Sequence, residues 1–255
     1  MQIALIKYHE YTLPVLTEPE GLDIQPFGIH TKLMKFSFLF LPMLVFVAAQ
    51  FTLIANADDW PQWRGSDRDG ISKEKGLLEK WPEGGPTLAW KASGVGVGFS
   101  SIAVVKGTIY TLGDLDEGSC VIALSEKNGE LIWKSKIGDA GGHKGYPGTR
   151  STPTVDGEQV FALNQHSDIA CVDATTGKLL WKKNLVTDFG GKMMSGWKYS
   201  ESPLVDKDRV ICTPGGKDGT LVALNRKTGA KIWQTGDWTD TAGYSSVIIA
   251  PIRGT

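Results

Sequence analysis

The sequence predicts an all-β protein of repeated four-stranded units, because one turn and one tryptophan recur along it. Three segments align on the turn: ALSEKNGELIWK, CVDATTGKLLWK and ALNRKTGAKIWQ. A partial fourth copy ends in GPTLAWK, and the copies follow one another at intervals of roughly 50 residues. A strand-rich repeat of this length is typical of the blades of a β-propeller. The repeated positions are the glycines Gly129, Gly177 and Gly229 and the tryptophans Trp90, Trp133, Trp181 and Trp233.

Each unit divides into four short strands. The first strand is predicted in SIAVVKG, STPTVDG and ESPLVDK, and the second in TIYTLGD, QVFALNQ and RVICTPG. The third strand precedes the repeated turn, and the fourth ends at the tryptophan. The turn glycine supplies the positive φ of a tight hairpin, and the large flat indole fills the wedge between neighbouring blades. The repetition follows because a blade buries both of its faces only against neighbours of the same kind.

The N-terminal part of the sequence has the pattern of an export signal. MKFSFLFLPMLVFVAAQFTLIANA, residues 34–57, combines a lysine, a long apolar run and a small-x-small site at Ala55 and Ala57. We expect cleavage after Ala57, which leaves residues 58–255 as a partial propeller that is periplasmic or secreted and is not an integral membrane protein. A transmembrane anchor is the alternative interpretation, because the apolar run nearly reaches spanning length. Residues 1–33 precede the signal, are expected to lie outside the fold, and leave Met34 as the expected start.

Composition and charge argue against several functions. The net charge of −1, with 22% charged and 41% hydrophobic residues, gives no support for nucleic-acid binding, which needs clustered cations. The three cysteines are far apart, and Cys171 replaces the alanine of the other repeats, so it is interpreted as a small core residue. The sequence contains neither a C-x-x-C nor an H-E-x-x-H motif, so no metal site is predicted.

The repeats resemble those of pyrroloquinoline-quinone (PQQ) enzymes, whose tryptophans dock successive blades. They are also similar to the repeats of a propeller-shaped factor that assembles outer-membrane barrels and binds no quinone. The segment DDWPQWRGSDRDGIS, followed by WPEGGPTLAWK, resembles the start of secreted bacterial PQQ-like β-propellers. Members of this family close a ring of seven or eight blades, whereas this sequence holds three complete units and parts of others. The resemblance therefore implies a fragment of a larger ring, or a ring assembled from several short chains.

The resemblance implies two possible functions. The first is a non-catalytic scaffold that presents its loops to a protein or a polysaccharide and holds no cofactor. The alternative is a quinoprotein dehydrogenase that oxidises alcohols or sugars with PQQ and calcium. Such enzymes carry an adjacent Cys-Cys pair, which this sequence lacks, so the scaffold is favoured.

Two long loops that follow tryptophan strands hold the candidate ligand contacts. They are GDAGGHKGYPGTR, residues 138–150, and DFGGKMMSGWKYSE, residues 188–201. Loops that lead from one blade to the next commonly carry the binding residues of a rigid scaffold. Arg150 and Glu201 occupy nearly equivalent positions before an inner strand, so both are candidates to face the central channel. The candidate contacts are His143, Tyr146, Arg150, Lys192, Trp197 and Glu201.

Overall fold

Three four-stranded antiparallel sheets dominate the computed structural model, which describes residues 3–6 and 58–250. Within each sheet the strands are hydrogen-bonded to one another in chain order. In chain order the strands are β1 (Ile3–Ile6), β2 (Leu88–Ala92), β3 (Ala103–Val105), β4 (Thr108–Leu115), β5 (Gly118–Ser125), β6 (Leu131–Gly138), β7 (Gly142–His143), β8 (Tyr146–Pro147), β9 (Thr154–Asp156), β10 (Gln159–Leu163), β11 (Asp168–Asp173), β12 (Leu179–Asn184), β13 (Leu204–Asp206), β14 (Arg209–Cys212), β15 (Val222–Asn225) and β16 (Lys231–Gln234).

The predicted blades are confirmed as sheets of four antiparallel strands. Blade A is β3 to β6, blade B is β9 to β12, and blade C is β13 to β16. Strand β2, which carries Trp90, pairs with β1, which consists of residues 3–6, and the rest of residues 1–33 lies outside the described residues. The predicted signal at 34–57 lies outside the described residues. None of the residues that the structure describes forms a helix able to cross a membrane.

The hydrophobic core lies between the blades, in clusters shared by neighbouring sheets. One cluster joins blade A to blade B through Leu112, Val121, Val160 and Val172. A second cluster joins blade B to blade C and includes Phe161. Alternate side chains along a strand point to opposite faces, so a central strand must be apolar at nearly every position. That requirement explains the continuous apolar runs of β5, β10 and β11.

Each tryptophan docks on the turn glycine of the following blade. A Cβ atom added to Gly177 would lie 2.6 Å from the ring of Trp133, and the same relation joins Gly129 to Trp90 and Gly229 to Trp181. The indole N–H groups of Trp90, Trp133 and Trp181 donate to the backbone carbonyls of Glu126, Ala174 and Arg226, at 2.8, 3.0 and 2.8 Å. Each acceptor lies three residues before the glycine, so the ring and the turn meet in the same geometry at every seam.

The fourth tryptophan has the same place in its blade but a different neighbourhood. Trp233 lies opposite Ala223, as Trp133 lies opposite Ala123 and Trp181 opposite Cys171. Trp233 is half-buried, and no turn glycine covers its ring among the described residues. Cys171 is a buried free thiol at the alanine position of the repeat, in agreement with its interpretation as a small core residue.

A β-bulge precedes every docking tryptophan. The strand register shifts between Ala123 and Leu124 in blade A, and at the matching points of blades B and C. A bulge adds one residue to the outer strand and breaks the alternation of its side chains. As a result, two consecutive residues such as Leu131 and Ile132 are exposed, whereas Trp133 is buried. The bulge also makes the outer edge a poorer template for pairing with another strand.

An N-terminal brace, residues 58–70, joins the inner strands of all three blades. Trp60 and Val104 of blade A exchange backbone hydrogen bonds of 2.8 and 2.9 Å. The Val155 N–H of blade B donates to the Pro61 carbonyl at 2.8 Å. At the start of blade C, the Arg68 guanidinium donates to the carbonyls of Ser202 and Pro203 at 2.7 and 3.0 Å. The brace therefore links the blades on the side opposite to the tryptophan seams.

We expect Gly177→Ala to destabilise the protein more than Gly157→Ala. Both glycines have positive φ, 71° and 63°, so both variants carry the strain of a left-handed alanine, about 1–2 kcal/mol. A Cβ at Gly157 meets nothing within 4 Å, whereas a Cβ at Gly177 would push the Trp133 ring off its seat. Overpacking of this kind costs roughly a further 1–3 kcal/mol. Urea unfolding measures the difference, and equal losses in the two variants would contradict the docking role of Gly177.

Candidate functional site

The loops between successive blades form one connected face. The first inter-blade loop, residues 93–102, joins the second, residues 139–153, through a parallel bridge between Gly98 and Thr149. Within this pair, the Phe99 N–H donates to the Thr149 carbonyl at 2.7 Å. The third loop, residues 185–203, is bridged in the same way to the segment after blade C through Met193 and Ala242. Backbone hydrogen bonds thus hold side chains that are distant in sequence on one surface.

Four aromatic side chains from the first three loops form an exposed cluster, which we call the aromatic patch. It consists of Phe99, His143, Tyr146 and Trp197. The His143 and Trp197 rings stack at 4.3 Å and 11°, and Tyr146 lies 5.2 Å from Trp197. Phe99 lies 6.0 Å from Tyr146. Phe99, Tyr146 and Trp197 are 58%, 51% and 44% exposed, so the patch offers apolar ring surface to a ligand.

Arg150 supports the patch from its edge. Its guanidinium lies 5.9 Å from the Phe99 ring centre and donates to the carbonyls of Tyr146 and Gly148, which holds the β7–β8 hairpin in place. Partial burial lowers the pKa of Arg150, and the nearby charge of Asp114 opposes that effect. The Arg150 side chain therefore holds the second inter-blade loop in place, and its positive charge interacts favourably with the nearby Asp114 carboxylate.

The carboxylate of Asp114 is buried in a hydrogen-bond network under the patch. Its oxygens accept from the Ser119 hydroxyl at 2.5 Å, the Gly141 N–H at 2.6 Å and the Gln165 amide at 3.0 Å. Buried polar groups of this kind stabilise a loop only when each has a partner. The network anchors the start of the second loop and so makes the patch a preformed surface.

The two remaining predicted contacts lie away from the aromatic patch. Lys192 is exposed and donates its backbone N–H to the carbonyl of Pro214 at 3.0 Å, beside the blade C loops. Glu201 is buried, with 2% of its surface exposed. No contact joins Glu201 to Arg150 among the described residues. His143, Tyr146, Arg150 and Trp197 are therefore the predicted residues that the structure brings together, and their role in binding stays a prediction.

Glu201 instead shares a buried centre with Arg68 of the brace. Its Oε1 atom accepts from the Thr213 N–H, but Glu201 Oε2 and Arg68 Nε have no hydrogen-bond partner among the described residues. Burial raises the pKa of Glu201 to about 7, against the opposing effects of the Thr213 hydrogen bond and the Arg68 charge. Burial also lowers the pKa of Arg68, to about 10. The Arg68 hydrogen bonds to the carbonyls of Ser202 and Pro203, next to Glu201 in the chain, couple the brace to blade C.

Sequence reasoning missed two features of these sites. Phe99 lies in the glycine-rich GVGVGFS loop. The only feature of the sequence that could have indicated a binding role for Phe99 is the equivalence of this loop to the other inter-blade loops. Arg68 lies in the DDWPQWRGSDRDGIS segment, which was recognised as a family feature but not as a contact to blade C. The roles of Phe99 and Arg68 can be recognised only in the folded structure, because each contacts residues more than 40 positions away in the sequence.

Arg150 and Glu201, the charged residues expected to face the channel, do not come together as a quinone–calcium site in the described part. PQQ requires cations for its carboxylates and oxygen ligands for the metal. Arg68 is engaged by backbone carbonyls, and Glu201 is buried beside it. Between residues 58 and 250, no group of three or more His, Cys, Asp or Glu side chains has the arrangement of a metal site.

We expect Glu201→Gln to remove a pH dependence of stability. A carboxyl whose pKa rises on folding, here from 4.5 to about 7, stabilises the fold below pH 4.5, and that contribution is lost as the pH rises through 7. The parent protein should therefore lose up to about 3 kcal/mol relative to Glu201→Gln between pH 4.5 and 8. Denaturant unfolding across this range tests the difference, with the exposed Glu158→Gln as control. Parallel pH profiles for the parent and Glu201→Gln would contradict the burial of the carboxyl.

Comparison with known proteins identifies one curated relative and several solved structures of similar fold. Outer membrane protein assembly factor BamB of Salmonella typhimurium is 26% identical over 145 residues, which cover 55% of this chain and 32% of that protein. The chain thus spans about a third of the length of this relative. The structure of BamB from Moraxella catarrhalis has 21% identity and a TM-score of 0.42, over 59% of this chain and 40% of that one.

A quinohemoprotein alcohol dehydrogenase from Comamonas testosteroni has 20% identity and a TM-score of 0.50, over 71% of this chain and 28% of that one. Likeness at this identity shows the propeller fold and carries no information on activity. The family model described as outer membrane protein assembly factor BamB matches residues 117–255, more than half of the sequence. This match confirms the resemblance of the repeats, and the chain belongs to the PQQ-like repeat family of outer membrane protein assembly factor BamB.

Proposed function

We propose that the protein is an exported, non-catalytic propeller that binds a segment of a partner polypeptide at the aromatic patch during the assembly of outer membrane proteins. The observation that carries this proposal is the exposure of Phe99, Tyr146 and Trp197 on loops that the fold holds rigid. Large exposed rings on a preformed surface are typical of the residues that dominate a protein interface.

The family relationship supports the cellular setting. The relative from Salmonella typhimurium is named an outer membrane protein assembly factor. The predicted export signal agrees with a periplasmic location, where unassembled outer membrane proteins pass. Because the chain spans about a third of that relative, the partner and the assembly role are part of the proposal.

The structure of the repeat supports a non-catalytic role. Trp90, Trp133 and Trp181 dock on the turn glycines of the next blade through ring contacts and indole hydrogen bonds. The repeat therefore has a structural cause that does not require a cofactor. The buried Arg68 and Glu201 likewise connect the brace to blade C.

We expect Trp197→Ala to weaken polypeptide binding by about tenfold or more, because a central interface aromatic commonly contributes over 2 kcal/mol. The probe is a fluorescently labelled outer-membrane β-barrel protein kept unfolded in dilute urea, and fluorescence anisotropy with the full-length protein gives the affinity. Trp238→Ala, which removes an exposed tryptophan with no ring contact to the patch, should leave the affinity within about twofold.

Two results would contradict the proposed function. One is that the unfolded barrel protein does not bind the full-length protein. The other is that Trp197→Ala and Trp238→Ala weaken binding equally. Circular dichroism of each variant shows whether a loss of binding comes from a loss of fold.

The quinoprotein dehydrogenase is the alternative function, and it has a separate test. We expect the full-length protein, incubated with PQQ and calcium, to show no stoichiometric quinone spectrum after gel filtration and no dye-linked oxidation of alcohols or sugars. The physical reason is that no group of three or more His, Cys, Asp or Glu side chains among the described residues could hold the metal. A retained quinone together with substrate oxidation would establish the dehydrogenase instead.

A further inference from the structure

The loop segments that supply the rings carry positive charge and no carboxylate, whereas Asp139, Asp188 and Glu201 lie in the same loops just outside these segments. Residues 140–150 include Lys144 and Arg150, residues 189–200 include Lys192 and Lys198, and neither segment contains Asp or Glu. Residues 93–101 of the first loop are uncharged. This distribution contrasts with the whole chain, whose net charge is −1.

Two lysines carry the unbalanced charge beside the rings. Lys144 is exposed in the turn between His143 and Tyr146, and Lys198 directly follows Trp197. Neither lysine has an ion pair with any residue in the described part of the chain. Arg150 differs, because it interacts with the buried Asp114.

Lys192 lies against Gly216, beside the loops of blade C and away from the rings. The cationic part of the patch is therefore centred on Lys144 and Lys198, at the two loops that supply the stacked rings.

The spacing of the rings is close to, but shorter than, the side-chain repeat of an extended polypeptide. The Tyr146 ring centre lies 6.0 Å from that of Phe99 and 5.2 Å from that of Trp197. Alternate side chains on one face of a β-strand are about 6.5–7 Å apart. Successive apolar side chains of an extended segment can thus contact successive rings, while the intervening side chains point toward the surrounding loops.

We propose that the aromatic patch selects extended acidic polypeptide segments, in which alternate apolar residues pack on the rings and carboxylates lie beside Lys144 and Lys198. This inference rests on the proposed function and adds the chemistry of the partner. Opposite charge at the rim of an interface speeds encounter and disfavours partners of the same charge. Acidic segments are therefore favoured over neutral segments with the same apolar residues.

Three synthetic peptides test this selectivity with the full-length protein. Each has the same Phe and Val at alternate positions, and the intervening residues are Asp and Glu, Ser and Thr, or Lys and Arg. Isothermal titration should show the acidic peptide binding about tenfold more tightly than the neutral one at about 50 mM salt, with the basic peptide weakest. The ratio should fall to about twofold at about 500 mM salt, because salt screens exposed charges.

Paired variants identify the source of the selectivity. Lys144→Gln with Lys198→Gln should reduce the preference for the acidic peptide to about twofold while the neutral peptide binds as before. Lys127→Gln, which removes an exposed lysine from the outer turn of blade A, should leave the preference unchanged. Persistence of the full preference in the double variant would overturn the assignment to these lysines.

The outcomes separate this inference from the proposed function. Equal affinity for all three peptides overturns the acidic selectivity but leaves polypeptide binding intact. Failure of all peptides and of the unfolded barrel protein overturns both. Binding of an acidic polysaccharide such as alginate, without binding of any peptide, overturns both in favour of a carbohydrate ligand.

Discussion

The contact between a tryptophan ring and the turn glycine of the next blade is the interaction on which the rest of the structure depends. The ring occupies the space where any side chain on that turn would lie, and its N–H reaches a carbonyl three residues earlier. The ring contact and the indole hydrogen bond together fix the position and the angle of one blade relative to the next. Glycine is required at this turn position for two reasons: the backbone has a positive φ, and the tryptophan ring leaves no room for a side chain. Because Trp90, Trp133 and Trp181 repeat this geometry, the loops of successive blades emerge on the same face.

The brace complements these seams from the inner side. Backbone pairing at Trp60 and Pro61 adds the brace to two inner strands, and Arg68 reaches the third blade. A guanidinium and a carboxyl are thereby removed from water, and each keeps an unpartnered polar atom among the described residues. Such centres are costly to form and more costly to disrupt. The brace therefore links the blades, and the burial of Glu201 makes the free energy of unfolding depend on the protonation of this carboxyl.

The aromatic patch follows from the same architecture. Its rings come from three loops that backbone bridges and the Asp114 network hold in place, so little ordering is needed when a partner binds. Docking and binding use different residues: the seam tryptophans are structural, and Trp197 lies in a loop. This separation explains how repeats that resemble those of PQQ enzymes occur in a protein for which we propose polypeptide binding.

The sequence by itself determined the repeat, the four strands of each blade and the positions of Trp133, Trp181 and Gly177, because these depend on local turns and on period. It also placed His143, Tyr146 and Trp197 on the inter-blade loops. Only the tertiary structure showed that Trp133 lies on Gly177, that a bulge turns Trp133 inward, and that Phe99 joins the patch. It also showed that Glu201, a predicted ligand contact, is buried near Arg68, 133 positions away. These features are contacts between blades, and no local pattern of charge or hydrophobicity encodes which distant residue will cover another.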